Sequence, residues 1–387
     1  MQLQYTPLQH KFRMEVREWM TAHIPKTPLV TLEREDGYHQ HVAWERTLAS
    51  GNWGMVTWPT EYGGRGLDLI EWLIFEEEYW AAGAPARANQ NGIFLLGPTI
   101  MDYGTPEQKA RFLTPMAAGE VIWAQAWSEP GAGSDLAAIT TKAIRDGDHY
   151  VINGQKTWSS RAAYADWGFG LFRTDPDSKR HKGLSFILFD LDTPGITRRP
   201  IRQLHGETGF AELFFDDVRV PVENRLADEG EGWNVAMATA GFERGLMLRS
   251  PGRFQATAKR LVDLYRANET QASPAAREAV VQAWGAAQAY AYNTYAVAAK
   301  ILAGGKIGAE ASLNKIYWSE LDRSMHRTAM QLLGAQAELK RFADGSINTW
   351  LEGYMFSLSG PIYAGSNEVQ RNIIAERLLG LPRLGAG

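Results

Sequence analysis

Gln125-Ala126-Trp127-Ser128-Glu129-Pro130-Gly131-Ala132-Gly133-Ser134-Asp135 is the stretch on which the reading of this chain turns. The apolar run from Val121 to Trp127 has the length and character of a buried strand. It stops at Pro130 and opens into a Gly-Ala-Gly-Ser-Asp turn. Glycine lets backbone N–H groups approach a ligand closely, because no Cβ stands in the way. Ser128 and Ser134 add hydroxyls that can donate or accept. A strand, bare backbone donors and hydroxyls suit a polar, partly anionic cofactor. Taken alone, an ordinary Gly-rich turn after a strand is the simpler account, so the flanking sequence has to decide.

Upstream, residues 1–120 read as helical. Thr6-Pro7-Leu8-Gln9 is a capping box with proline at the first helical position, followed by Phe12, Val16 and Trp19 at helical spacing. A Thr/Pro-rich loop over 25–37 leads to a second helix ending at Gly51. After the loop Glu61–Gly66, Asp68 caps a third, and Thr105-Pro106-Glu107-Gln108 repeats the capping box. Simple core packing accounts for most of these helices. Downstream, short strand-like runs alternate with turns: Lys142–Arg145, His149–Ile152, Trp167–Phe172, Leu184–Asp190, Ile196–Ile201 and Glu212–Phe215. Asp146-Gly147 is a hairpin signal, and Asn153-Gly154 reads as another turn. The spacing predicts a sandwich or barrel of about 100 residues. Helical periodicity returns at Gly232. One long helix is expected over 233–268 with a kink at Pro251, then one from Ser273-Pro274 to Gly304-Gly305, one over 308–342, and a short one from Ser366 to Gly380. The expected class is α+β, with a helical segment (1–120), a middle β segment (121–226) and a helical, bundle-like segment (227–387).

Bulk properties narrow the function. At 387 residues the chain exceeds one ordinary core. A hydrophobic fraction of 45% with 22% charged residues is that of a soluble globular protein. A net charge of −4 and the lack of a long basic run argue against nucleic-acid binding. The absence of cysteine excludes disulfides, thiolate metal sites and a cysteine nucleophile, and no metal site is expected. No run approaches the roughly 18 apolar residues of a membrane span, and Met1-Gln2-Leu3-Gln4 carries no signal pattern, so a cytoplasmic protein is expected.

With this helical–β–helical order as context, three motifs together resemble the acyl-CoA dehydrogenase family over essentially the whole chain. They are Ala126–Asp135; Ile152-Asn153-Gly154-Gln155-Lys156-Thr157-Trp158-Ser159-Ser160 with Phe215–Pro221; and Pro361-Ile362-Tyr363-Ala364-Gly365-Ser366-Asn367-Glu368-Val369-Gln370-Arg371-Asn372. The resemblance implies FAD as cofactor. By the match, Gln125, Trp127 and Ser128 contact the flavin ring and its ribityl chain. Trp158 lies against the ring, Ser160 bonds near flavin N5, and Ser134 lies near the cofactor or CoA phosphates. Gln331 and Gly334 meet the adenosine half from a neighbouring subunit, and the helix capped by Ser366 faces a cofactor phosphate. The implied reaction is α,β-dehydrogenation of an acyl-CoA to the trans-2-enoyl-CoA. A base takes the α-proton, and the backbone N–H of Ala364 donates to the thioester carbonyl.

One position departs from the family pattern. Most relatives carry the glutamate base where this chain has Ala364, which cannot take a proton. In isovaleryl-type and some long-chain relatives the base sits instead on a helix of the last domain, in a Glu-Arg pair. Phe242-Glu243-Arg244-Gly245 matches that position. Glu243 is the expected base, and Arg244 is expected to hold the thioester end of CoA. An exposed helix ion pair is the bland alternative. The Arg-x-x-Phe-Gly run of many relatives is missing near Arg266, and the paired glycines after Gln331 are altered to Gly334-Ala335-Gln336-Ala337. Actinobacterial dehydrogenases for bulky CoA thioesters, steroid side chains included, show similar departures, and some assemble from two different subunits. The expected partners are an acyl-CoA, an electron-transfer flavoprotein as acceptor, and either copies of this chain or a homologous subunit. The alternatives are a non-catalytic partner subunit and a flavin oxidase of the acyl-CoA oxidase or nitroalkane oxidase type.

Overall fold

A computed structural model describes residues 4–244, 247, 249–305 and 307–383, with the side chains of Glu243 and Arg244 outside the description. The chain packs into two compact units. One comprises Pro25–Leu67 and Pro85–Glu243; the other comprises Met1–Ile24, Asp68–Ala84 and Arg244–Gly387.

The first unit is built on one eight-stranded sheet. Its strands are β1 (Trp123–Ala126), β2 (Lys142–Asp146), β3 (His149–Ser160), β4 (Trp167–Arg173), β5 (Leu184–Asp190), β6 (Ile196–Ile201), β7 (Phe210–Pro221) and β8 (Arg225–Leu226). They lie in the order β6-β7-β3-β2-β4-β5-β8, and β1 pairs in parallel with β4, setting Trp123 opposite Trp167. Alternating apolar residues of β3 and β7 and the nearly wholly buried β4 and β5 fill the core. Phe172, Phe189 and Phe215 meet edge to face there, with centroids 5.8, 5.7 and 5.4 Å apart, the arrangement that ring quadrupoles favour. The helices α2 (Glu35–Ser50), α4 (Gly97–Tyr103), α5 (Pro106–Ala117) and α6 (Gly232–Arg244) accompany it. The capping box at Thr105 forms as expected, its hydroxyl accepting from Gln108 N.

The turn expected at Asn153-Gly154 is corrected. β3 runs straight through it as one long strand, and the pair sits in a β-bulge between Ile152 and Gly154. Gly154 has φ +143, and a Cβ there would lie 2.7 Å from the Thr141 side chain. Asn153 is locked across the bulge by a reciprocal pair: its Nδ2 donates to Asp217 Oδ1, and Asp217 N donates to its Oδ1, both at 2.9 Å. β7 continues on both sides and so overrides the local turn chemistry.

The second unit is helical: α1 (Pro7–His23), α3 (Leu69–Ala81), α7 (Pro251–Ala267), α8 (Pro274–Leu302), α9 (Ala311–Leu333), α10 (Thr349–Ser357) and α11 (Asn367–Ile373). Thr6 and Asp68 cap their helices as expected. The single helix expected over 233–268 is instead two, α6 and α7. Ser250 Oγ accepts from Gly252 N, and Pro251 is the first residue of a new helix rather than a kink. The helix expected over 308–342 ends at Leu333, because Gly334 turns away at φ +53 and a short 3-10 segment follows. α10, capped by Asn348, has no counterpart in the sequence reading. The core joins Phe254, Ala258 and Leu261 of α7, Ala283, Ala287 and Tyr290 of α8, Trp318 and Met325 of α9, and Trp350 of α10. Among the described residues, no helix is long and apolar enough to cross a membrane.

Candidate active site

In the sheet unit, β1 delivers the opening stretch and Glu129 fixes it. Its carboxylate accepts from Thr140 N (2.7 Å), Thr140 Oγ1 (2.9 Å), Thr141 N (2.9 Å) and Lys156 Nζ (2.9 Å). Lys156 is fully buried and also donates to the carbonyls of Trp127 (3.2 Å) and Leu171 (2.7 Å). Burial pushes the Glu129 carboxyl up, but the Lys156 charge and the threonine donors outweigh it and hold it at about 2. Burial pushes the Lys156 amine down to about 8, with Glu129 opposing. The pair is therefore charged at neutral pH. It anchors the peptide that carries Trp127 and Ser128.

Next to that anchor, β3 bulges a second time, between Lys156 and Ser159. Thr157 N donates to Ser128 O at 2.8 Å, tying the bulge to the opening stretch. Trp158 occupies the bulge at φ +56 and is 60% exposed. A left-handed tryptophan is strained, and bulges beside active sites re-aim side chains. Here the result is a large flat apolar face turned outward. Gln125 and Ser160 are half-buried and Ser134 is exposed. No hydrogen bond engages the side chains of Gln125, Ser128, Ser134 or Ser160 among the described residues, and Trp127 Nε1 is buried without a partner. Four polar ends, one orphan indole N–H and one presented indole face make a surface short of its ligand. That fits a flavin, which brings a flat ring, polar edges and a polyhydroxylated chain.

In the helical unit, Ala364 and Gly365 form the turn that precedes α11. Both are left-handed, at φ +57 and +78. Neither N–H finds an acceptor among the described residues. Consecutive bare N–H groups in such a conformation form a concavity suited to an anionic or carbonyl oxygen. Gln370, buried on α11, holds the turn from below, its Nε2 lying 3.4 Å from Ala364 O and 3.3 Å from Gly365 O. Asn367 Oδ1 accepts from Lys315 Nζ (2.8 Å) and Ser319 Oγ (3.2 Å). Ser366 caps α11, its hydroxyl accepting from Val369 N. Gln331 is exposed on α9 and lines a recess of ≈ 370 Å³ with Arg327, Met330, Ala337, Glu338, Leu351 and Tyr354; Gly334 lies just beyond the helix end. Arg266 pairs loosely with Asp263, at 4.0 Å. Glu243 and Arg244 close α6 as backbone, and their side chains lie outside the described residues. The sequence reading missed Glu129, Lys156 and Gln370 as supports.

Family models cover almost the whole chain: the acyl-CoA dehydrogenase N-terminal domain over 6–120, the middle domain over 124–218 and the C-terminal domain over 230–379. The chain belongs to the acyl-CoA dehydrogenase family. It is similar to acyl-CoA dehydrogenase IpdE1 of Mycobacterium tuberculosis, 39% identical, covering 97% of this chain and 99% of that protein. It is 34% identical to acyl-CoA dehydrogenase FadE26 of the same organism, covering 99% of each. Among solved structures, the Tcur3481-Tcur3483 steroid ACAD matches with a TM-score of 0.87 at 29% identity, covering 99% of this chain and 100% of that one. The ChsE4-ChsE5 complex from Mycobacterium tuberculosis matches with a TM-score of 0.83 at 32% identity, with the same coverage. Family membership makes this dehydrogenase an oxidoreductase acting on acyl-CoA, in a family that is FAD-dependent in general.

Proposed function

We propose that the chain binds FAD at the face framed by Gln125, Trp127, Ser128, Trp158 and Ser160, and dehydrogenates a bulky, ring-bearing acyl-CoA. The unpartnered polar groups around the outward-facing Trp158 carry the cofactor reading. The substrate reading rests on likeness to the steroid ACAD. Bound FAD supplies the hydride acceptor. Glu243 takes the α-proton from the end of α6. The Ala364 N–H, free of any acceptor among the described residues, donates to the thioester oxygen as negative charge gathers there. Arg244 and Ser134 hold the CoA portion. Gln331, Gly334 and Ser366 serve the adenosine and phosphate half of the cofactor. Electrons leave to an electron-transfer flavoprotein in the cytoplasm. The likeness to two complexes of paired chains supports assembly with a homologous subunit or with further copies of this one.

Glu243→Gln is expected to retain FAD and to lose flavin bleaching by a panel of acyl-CoAs, with turnover down by about 10²–10⁴-fold. Full anaerobic bleaching by that variant would overturn the assignment of the base. Ala364, standing where most relatives have the acid, favours a second reading, a non-catalytic partner subunit. A flavin-bearing complex with a homologous chain whose acyl-CoA turnover is unchanged by Glu243→Gln in this chain would establish it. Peroxide formed stoichiometrically with product would instead mark an oxidase.

A further inference from the structure

We propose that Arg249 is a positioning residue for the carbonyl-binding turn, acting through Tyr363 on Ala364; this rests on the dehydrogenase reading above. Arg249 lies two residues before α7 and is 9% exposed. Its guanidinium sits over two rings, 5.0 Å from the centroid of Trp318 and 5.4 Å from that of Tyr363, which are themselves 5.8 Å apart. Nη2 donates to Tyr363 Oη at 3.1 Å, and Tyr290 Oη donates to the Arg249 carbonyl at 2.9 Å, so both ends of the residue are pinned. Nε is buried without an acceptor, and Arg249 forms no ion pair among the described residues.

Burying a guanidinium is costly, and here ring faces, one neutral hydrogen bond and the nearby Asp322 carboxylate, which Arg249 helps hold ionised, offset that cost. Its one polar side-chain partner is the residue that leads into the strained turn. A left-handed alanine persists only where its surroundings over-determine it. Arg249 supplies that constraint on the N-terminal side through Tyr363, as Gln370 does on the C-terminal side. Tyr363 N also donates to Ser359 O at 3.1 Å, leaving the ring as the movable part for Arg249 to fix. The aim of the Ala364 N–H matters because an oxyanion donor works only within a narrow distance and angle. Asp322 holds His326 at 3.3 Å and Arg253 at 3.8 Å and also feels the Arg249 charge without pairing with it, while Lys315 and Glu320 both engage Asn367, so the direct hydrogen bond of the Arg249 side chain goes to Tyr363.

The test uses the FAD-loaded enzyme and a 3-oxoacyl-CoA, whose acidic C2 proton is lost on binding to give an enolate with long-wavelength absorption against the oxidised flavin. The apparent pKa of that bound enolate reports carbonyl stabilisation directly. Arg249→Met and Tyr363→Phe are each expected to raise it by about 1 unit, a tenfold loss. The same variants should lower kcat about tenfold with KM within about threefold, the signature of an interaction made in the transition state. Arg249→Lys should recover part of both. An unchanged enolate pKa in Tyr363→Phe, against a wild type that shows the band, overturns the proposal. Should Arg249→Met shed its flavin, Tyr363→Phe and Arg249→Lys still decide. A wild type that neither forms the band nor bleaches with any acyl-CoA overturns the dehydrogenase reading itself.

Discussion

At the scale of single residues, the buried pair Glu129–Lys156 anchors the peptide that carries Trp127 and Ser128. The Glu129 carboxyl is held near 2, below its usual 4.5, so the folded state keeps it ionised while the unfolded chain protonates. Its contribution is therefore fully present above pH 4.5 and is lost as pH falls toward 2. Allowing for partial solvent screening, that loss is on the order of 1–2 kcal/mol. Lys156, pushed down to about 8 from 10.5, acts in the opposite sense: burial of its charge is a cost below 8 that fades as pH rises to 10.5. Glu129→Gln leaves a buried ammonium without its counter-charge and should cost about 3 kcal/mol at pH 7. Urea unfolding of wild type and variant between pH 2 and 7 checks both. The variant should show the lower stability at neutral pH and a smaller loss than wild type as pH falls from 4.5 toward 2, the rest coming from other carboxylates held low in the fold, Glu33 and Asp322 among them.

At the scale of elements, β3 carries two bulges, and both aim residues that matter. Gly154→Ala would place a methyl 2.7 Å from the Thr141 side chain and 2.9 Å from Thr141 Cα, at a backbone angle that side chains avoid. A loss of about 1–3 kcal/mol is expected, read from the urea midpoint. A midpoint within error of wild type would mean that the bulge relaxes freely. The same strand shows what local sequence could not say. Asn-Gly is a hairpin signal, yet the register of β7, 60 residues away in the chain, makes it a bulge. Nothing local marks Thr157-Trp158 as bulged either. Helix starts were more legible, because Thr6-Pro7, Thr105-Pro106 and Ser273-Pro274 each satisfy orphan N–H groups on the spot. Ser250-Pro251 carries the same signal, but helical periodicity on both sides of it made Pro251 read as a kink rather than as a helix start. α10 escaped notice because Trp350, Leu351, Tyr354, Met355 and Phe356 surround it with apolar groups and leave no polar face to give a period. The site motifs were legible as strings. The contact of Arg249 with Tyr363 joins residues 114 apart, which no local pattern reveals.

At the scale of the whole molecule, the outer side of α8 predicts association. Val281, Trp284 and Tyr292 project from one side of this helix, because steps of three and eleven residues nearly close whole turns. They are 63%, 43% and 53% exposed. Isolated apolar residues on a surface need no explanation, but a stripe of large ones along a 29-residue helix marks an interaction face. Tyr317 of α9 stacks on the buried Tyr290 and donates to Ala286 O at 3.0 Å, which places α9 against the other side of α8 and leaves the stripe uncovered by it. The expected partner is a second chain of this fold, since the likenesses include complexes of paired chains. In solution, light scattering should therefore give a mass above the 43.1 kDa of one chain. Replacing Val281 and Trp284 together by glutamate places like charges on the contact and should return the mass to that of one chain. Because both side chains point away from the helical core, the variant should keep its helical circular dichroism. A wild type already at 43.1 kDa would move the expectation to a homologous subunit, and mixing the two chains would then have to produce the larger species. Failure of both experiments would leave the α8 stripe without an interface role.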